Sequence, residues 1–415
     1  VLDKSYLLPQ EALNLIEKSL LELPLSKETI MLEDSYSRVL ASDIVANEDL
    51  PSFDRSTVDG YAVRASDTFG AKETSPAYFT LVGEVLMGEA PDFEIKELEA
   101  AKISTGGMLP VGADAVVMLE YVQPVSDDFL EIVKAVSLGE NVIKKGEDIK
   151  KGALVLKRGH KLRPQDVGAL AGLGITSVEV YKKPVVAILS TGDEVVPAEC
   201  SLKIGQVRDI NSYTLSGLIS ESGGISLKKG LFKDRYEIIK RAIEESLKDS
   251  DMILISGGTS AGTKDMTADI INDIARSHGG EGVVFHGVSI KPGKPAIGGI
   301  INGKPVFGLP GHPAAIFVCF DSFIKPVLER LCGLDREENF FKSIKAKMVK
   351  SISSVAGRED HIRVRVEKID EEFYAYPILG KSGLITTLVE AHGMVIIPAN
   401  KLGINAEEEV LVRLF

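Results

Sequence analysis

Residues 252–265 restrict the fold more than any other part of this chain. Met252-Ile253-Leu254-Ile255 is an apolar, β-branched run, short enough to be a buried parallel strand. It breaks at once into Ser256-Gly257-Gly258-Thr259-Ser260-Ala261-Gly262-Thr263-Lys264-Asp265. Ile270, Ile271 and Ile274 then fall on one face of a predicted helix over 266–277, which Gly279-Gly280 closes. A glycine-rich turn from strand to helix lets backbone N–H groups approach an anion at the positive end of the helix dipole. Lys291-Pro292-Gly293-Lys294-Pro295 and Gly308-Leu309-Pro310-Gly311-His312-Pro313 are two more polar loops where apolar strands end. Ligands of open α/β sheets bind outside the carboxyl ends of the strands, so the three loops predict one pocket for an anionic ligand. A P-loop would need Lys directly after the second glycine, whereas the order here is Gly262-Thr263-Lys264-Asp265. Read alone, Asp265 is the N-cap of the helix.

A chain of 415 residues is too long for one core and predicts two to four domains. The formal net charge of −12, with no basic run to offset it, argues against nucleic acid and anionic membranes as partners. No apolar segment approaches the length of a membrane span, and Val1 to Gln10 lacks the charged and apolar regions of a signal peptide. Cys200, Cys319 and Cys332 are odd in number and lack metal-ligand spacing, which predicts reduced thiols and a cytoplasmic protein.

Taken in order, Pro9 opens a helix over 8–21 with Ala12, Leu13, Leu15, Ile16 and Leu20 at helical intervals as its core face. Asp59-Gly60 reads as a tight hairpin turn. From 78 to 136 the texture is β, with Phe79–Val85, Ala101–Ser104, Ala115–Leu119 and Leu130–Val133 as strands and Ser104-Thr105-Gly106-Gly107 as a loop off a strand end. A helix is predicted over 164–173. Beyond Pro184 come strand Val185–Leu189, the loop Ser190-Thr191-Gly192-Asp193-Glu194, a helix over 213–222, strand Ser226–Phe232, and Asp234-Arg235-Tyr236-Glu237, a capping box before another helix. A single helix over 314–331 closes this domain. Five short strands follow, in which Ile362, Val364 and Val366 alternate with Arg363, Arg365 and Glu367, predicting one solvated face. The expected architecture is a multidomain α/β protein: an N-terminal mixed domain (1–52 with 142–183), a β-rich insert (53–141), a central doubly wound α/β domain (184–332) and a small C-terminal β-barrel (333–415).

Asp59-Gly60-Tyr61-Ala62, Ile103-Ser104-Thr105-Gly106, Gly146-Glu147-Asp148, Ser190–Glu194, Ser256–Ser260, Lys291–Pro295 and Gly308–Pro313 together resemble, in order and over essentially the whole chain, the molybdopterin molybdotransferase family. This is the MoeA type that also forms the E domain of gephyrin. The resemblance implies an elongated homodimer whose active site lies between the α/β domain of one subunit and the insert of the other. It implies insertion of molybdate into adenylylated molybdopterin with release of AMP, assisted by Mg²⁺. Carried over by residue, Asp59, Thr105, Asp148, Glu194, Asp234 and Asp265 are the expected catalytic set, with Glu194, Asp234 and Asp265 toward the metal. Gly257, Gly258, Thr259 and Ser260 are expected at the substrate, as are Lys291, Lys294, Pro310, Pro313, Arg358 and Ser382. The chain departs from many relatives at His312, where Asn is common, and at Val58, where Met is frequent.

Elementary electrostatics sets a condition on this reading. Unit charges ~4 Å apart at an effective dielectric near 20 interact by roughly 4 kcal/mol, so bare carboxylates would repel a pyrophosphate and molybdate. A divalent cation inverts the local field, and carboxylates that hold no metal suit the N–H donors of a pterin. Two other classes share features: a pterin-nucleotide adenylyltransferase, which needs neither insert nor barrel, and a gephyrin-like scaffold that binds peptides.

Overall fold

The computed structural model describes residues 6–20, 24–257, 264–335 and 342–415. Helix α1 spans Pro9–Ser19: Pro occupies its first turn, and the Glu11 carboxylate accepts the Leu8 N–H at 2.8 Å. Its apolar stripe, Ala12, Leu13 and Ile16, joins a core cluster with Phe285, Ile300 and Phe320 of the α/β domain. Residues 9–19 therefore pack against the α/β domain, in a core cluster that also takes in Val39, Ala41 and Tyr181 of the N-terminal domain. The stripe is buried by the larger core, and Leu7 pairs in parallel with Val288 beside it.

What remains of the N-terminal domain is short antiparallel pairs, Lys27–Met31 with Ser177–Tyr181 and Ile44–Val45 with Leu154–Leu156, under helix α2, Pro164–Gly172. The insert is a six-stranded sheet in the order Ala115–Met118, Gly60–Val63, Glu99–Ile103, Ala77–Val85, Phe129–Ile132, Val122–Ser126. The expected hairpin at Asp59-Gly60 is thus wrong. Gly60 lies in an interior strand, opposite Ile103 on one side and Met118 on the other. Glycine is needed there for close approach, since a Cβ would sit 2.0 Å from the Val117 carbonyl oxygen.

The α/β sheet runs Ile225–Phe232, Val185–Thr191, Met252–Ser256, Lys304–Leu309, Ile297–Ile301, Gly282–His286. The first four strands are parallel; the Ile297–Ile301 strand is antiparallel to both of its neighbours. Asn302-Gly303, with φ of +49° and +72°, makes the two-residue turn that reverses the chain there. Helices α3 (Asn211–Glu221), α4 (Tyr236–Ser246), α5 (Lys264–His278), α6 (Pro313–Cys319) and α7 (Lys325–Leu331) cover both faces. α1, α3, α6 and α7 pack on one face and α4 and α5 on the other, which is why the central strands are apolar without alternation. Where one helix was expected over 314–331, a π-helical turn, Phe320–Ile324, joins α6 to α7. Pro326 has no N–H to give to Ser322, and the wider turn accommodates it. Neither expected cap holds: α5 begins one residue before Asp265, and Arg235, not Asp234, precedes α4.

Five strands, Glu359–Ile369, Glu372–Pro377, Ser343–Met348, Glu409–Leu414 and Gly393–Ile397, close on themselves as a barrel around Met348, Val364, Ala375, Val395 and Val412. The solvated face predicted for 363–367 is wet only in its second half. His361 and Arg363 are buried because that end of the strand docks on the α/β domain, where Ile290-Lys291 pairs in parallel with Glu359-Asp360.

Gly60→Ala should cost about 1–3 kcal/mol through overpacking against the Val117 carbonyl. The loss should appear as faster amide exchange in Gly60–Val63 and Ala115–Met118; unchanged exchange there would contradict the close-approach account.

Candidate active site

Three groups of polar side chains stand out, and the first is a cleft between the α/β domain and the barrel. Lys291, Lys294 and Pro310 from the α/β loops, with Arg358 and Ser382 from the barrel, line one cavity of about 700 Å³. Lys291, Lys294 and Pro310 come from two of the three loops predicted to form one anion pocket, and Arg358 and Ser382 from the resemblance; the fold brings these five together, whereas Ser256 and Gly257 of the third loop do not line the cavity. Pro313 stands just behind as the first residue of α6, buried. Asp360, 1% exposed, organises the cations: its carboxylate accepts from Arg358 Nε at 2.8 Å and Nη2 at 3.3 Å, and lies 3.8 Å from Lys291 Nζ. Lys294 Nζ sits 4.3 Å from the centroid of the Tyr6 ring, a cation–π contact that leaves its other side open to the cleft. Ser382 Oγ is 2.9 Å from His312 Nδ1, and the Ser382 carbonyl accepts the Ala314 N–H at the start of α6. His312, the departure from the family pattern, thus fixes the loop that carries Ser382.

The second group lies at the carboxyl edge of the parallel strands. Thr191 and Gly257 end neighbouring strands, and Gly257 takes φ +104° with its Cα so close to Thr191 that a Cβ would meet the Thr191 carbonyl at 2.1 Å. Asp234 Oδ1 and Thr191 Oγ1 are buried there without hydrogen-bond partners. Burial pushes the Asp234 carboxyl above its ordinary range, the Thr191 hydroxyl, close by but outside hydrogen-bond geometry, opposes the shift only in part, and the charges of Asp193 and Glu194 add to it. Gly258, Thr259 and Ser260 lie outside the described residues, as does the side chain of Asp265. Among the described residues no three His, Cys, Asp or Glu side chains converge on one point as a metal cage. A hard cation that keeps waters and phosphate oxygens needs only one or two carboxylates, and an orphaned Asp234 oxygen beside the negative charge of Glu194 fits that requirement.

The third group is in the insert. Asp59 Oδ1 accepts the Thr105 backbone N–H at 2.7 Å and the Thr105 hydroxyl at 3.1 Å. The backbone bond first, then the hydroxyl, hold the Asp59 carboxyl below its usual range, so it stays an acceptor. Asp148 is exposed on the loop after Gly146, whose own N–H is bonded to Pro51. The bonds of this pair stay within the insert: besides those between Asp59 and Thr105, the Leu119 N–H is donated to the Asp59 carbonyl at 3.2 Å.

Sequence reasoning missed Asp360, Arg363, Tyr6 and Asn211. Asn211 donates to the Gly311 carbonyl at 2.9 Å and steadies the Gly308–Pro313 loop from α3. Arg358-Glu359-Asp360, an acid two places from a candidate anion-binding Arg on one strand edge, was the available signal for Asp360. Tyr6 carried none.

Asp234 has a folded-state pKa above its unfolded one, so its protonated form is favoured by folding. Its contribution is full below the unfolded pKa and lost as pH rises through the folded one. Asp234→Asn should raise the thermal midpoint near neutral pH in metal-free buffer, with the gain fading as pH falls into the carboxylate range. A midpoint lowered at neutral pH would show that the carboxylate is satisfied there.

Comparison with known proteins covers nearly the whole chain. The family model "MoeA N-terminal region (domain I and II)" matches residues 7–174, "Probable molybdopterin binding domain" residues 187–330, and "MoeA C-terminal region (domain IV)" residues 345–415. A molybdopterin molybdenumtransferase of Bacillus subtilis is 32% identical over 391 residues, 93% of this chain and 89% of that protein. A molybdopterin molybdenumtransferase of Staphylococcus aureus is 32% identical over 386 residues, 92% of this chain and 90% of that one. A crystal structure of the molybdopterin biosynthesis MoeA protein of Pyrococcus horikoshii superposes with a TM-score of 0.85 at 34% identity, covering 99% of this chain and 100% of that one. With the same domains in the same order and the same α/β-to-barrel arrangement, this chain belongs to the MoeA family of molybdenum cofactor biosynthesis proteins.

Proposed function

We propose that this transferase inserts molybdate into adenylylated molybdopterin and releases AMP, working in the cytoplasm as a magnesium-assisted homodimer. The observation that carries the reading is the cation-lined cleft, whose two walls come from the α/β loops and the barrel. A tetrahedral dianion suits Lys291 and Lys294 as compact point charges, and the Ser382 hydroxyl can donate to it. Asp360 keeps Arg358 and Lys291 in place before the anion arrives, which lowers the cost of ordering them on binding. A molybdate oxygen held in this way is the attacking group on the anhydride, and such proximity contributes on the order of 7 to 11 kcal/mol. Water has no comparable docking site.

The carboxylates divide the remaining work. Asp59, kept ionised by Thr105, is acceptor-only and suits the N–H donors of the pterin, as does exposed Asp148. Glu194, Asp234 and Asp265 are the carboxylates that would hold magnesium, which when bound neutralises the anhydride oxygens and polarises the phosphorus. The Asp59–Thr105 pair is bonded within the insert, and in this reading it completes the site of a partner subunit.

AMP release should require both molybdate and a divalent cation, and Lys294→Ala should weaken molybdate dependence far more than pterin binding. Formation of adenylylated molybdopterin from ATP without molybdate would instead identify an adenylyltransferase. Mixing Asp59→Asn with Asp265→Asn protein should restore part of the activity through heterodimers carrying one intact site. No recovery after confirmed subunit exchange would count against a shared site.

A further inference from the structure

The cleft holds more positive charge than one dianion neutralises. Among the described residues, Lys291, Lys294, Arg358, Arg363 and Lys381 line it, against the single carboxylate of Asp360. Arg358 gives two of its N–H groups to Asp360, so its fork is largely occupied. Arg363 is the contrasting case. It is 8% exposed, its Nη2 donates to the Gly380 carbonyl at 3.1 Å, its Nε is buried without a partner, and among the described residues no carboxylate pairs with it. Two places back on the same side of the strand, His361 is 4% exposed with neither ring nitrogen hydrogen-bonded, although Glu359 Oε2 stands 3.5 Å from its Nε2. A buried cation without a counter-charge is costly, and removal of such a charge stabilises a protein unless a ligand supplies the missing partner. Burial accordingly depresses the pKa of Arg363.

We propose that Arg363 holds a second oxyanion in this cleft, the phosphoryl group of a phosphate ester, next to the tetrahedral oxyanion on Lys291, Lys294 and Ser382. The planar guanidinium fork matches two phosphoryl oxygens, whereas lysine offers only a point charge. The Gly380 carbonyl fixes one arm of the fork and so presents the rest in a set orientation. Two anions bound together also balance a cation-rich wall that one would leave positive. The inference rests on the oxyanion reading of the cleft and adds to it a separate position with its own ligand.

The test is binding of inorganic phosphate and of methyl phosphate to the full chain already saturated with molybdate, against chloride at matched ionic strength, by calorimetry and thermal shift. The wild type should bind both probes under molybdate saturation. Arg363→Met, and Arg363→Gln, which keeps an amide donor for Gly380, should weaken the phosphate probes about tenfold or more. Both variants should leave molybdate binding intact and keep or raise the thermal midpoint. Lys294→Ala should show the opposite pattern, losing molybdate and keeping phosphate. Mutual exclusion of molybdate and phosphate in the wild type overturns the proposal, as do Arg363 variants that keep phosphate binding or lose both anions together with stability. Binding of inorganic phosphate without methyl phosphate overturns the ester assignment. A wild type that ignores molybdate overturns the oxyanion reading of the cleft, and this inference with it.

Discussion

Everything in the cleft depends on a two-residue parallel pairing between domains, Ile290 with Glu359 and Lys291 with Asp360. The Glu359 N–H reaches the Ser289 carbonyl at 2.9 Å, so the barrel is hydrogen-bonded onto the edge of the α/β domain rather than merely resting on it. That pairing brings the Asp360 carboxylate to Arg358 and Lys291 at once. It also forces the first half of the Glu359–Ile369 strand out of solvent, which buries His361 and Arg363. Docking and the placement of the cleft's cations therefore share one set of atoms.

The two halves of the site solve opposite electrostatic problems. The α/β edge gathers acids, and burial of Asp234 beside Asp193 and Glu194 raises the cost of its charge. The cleft gathers cations that await anions. A substrate with an anhydride next to a ring system rich in N–H donors would span from one half to the other, meeting carboxylates at those donors and cations at its oxygens. The insert, with Asp59 held ionised by Thr105, presents a third set of acceptors.

The sequence made legible what local pattern decides. The Met252–Ser256 strand, α5 and the five barrel strands all follow from periodicity and punctuation, and the two lysines and Pro310 were assigned to one pocket from strand-end loops alone. What escaped was set by contacts distant in the chain. Asp59-Gly60 carries the chemistry of a turn, yet Gly60 is required by the Val117 backbone in another strand. The apolar stripe of α1 was legible, but not that the core it joins is the one shared with the α/β domain. Arg363 obeys the alternation of a half-solvated strand, and only the docked α/β domain makes it a buried charge. Asn302-Gly303 did carry a local hairpin signal, and it explains why the sheet is not wholly parallel.

The central claim is that the cleft between the α/β loops and the barrel is where the metal oxyanion sits during transfer. Anomalous scattering from crystals of the full chain grown with molybdate or tungstate tests it without reliance on any variant. The account predicts an anomalous peak in the cleft among Lys291, Lys294, Arg358 and Ser382. A peak at the Thr191–Gly257 edge with the cleft empty, in protein that turns over, would contradict it.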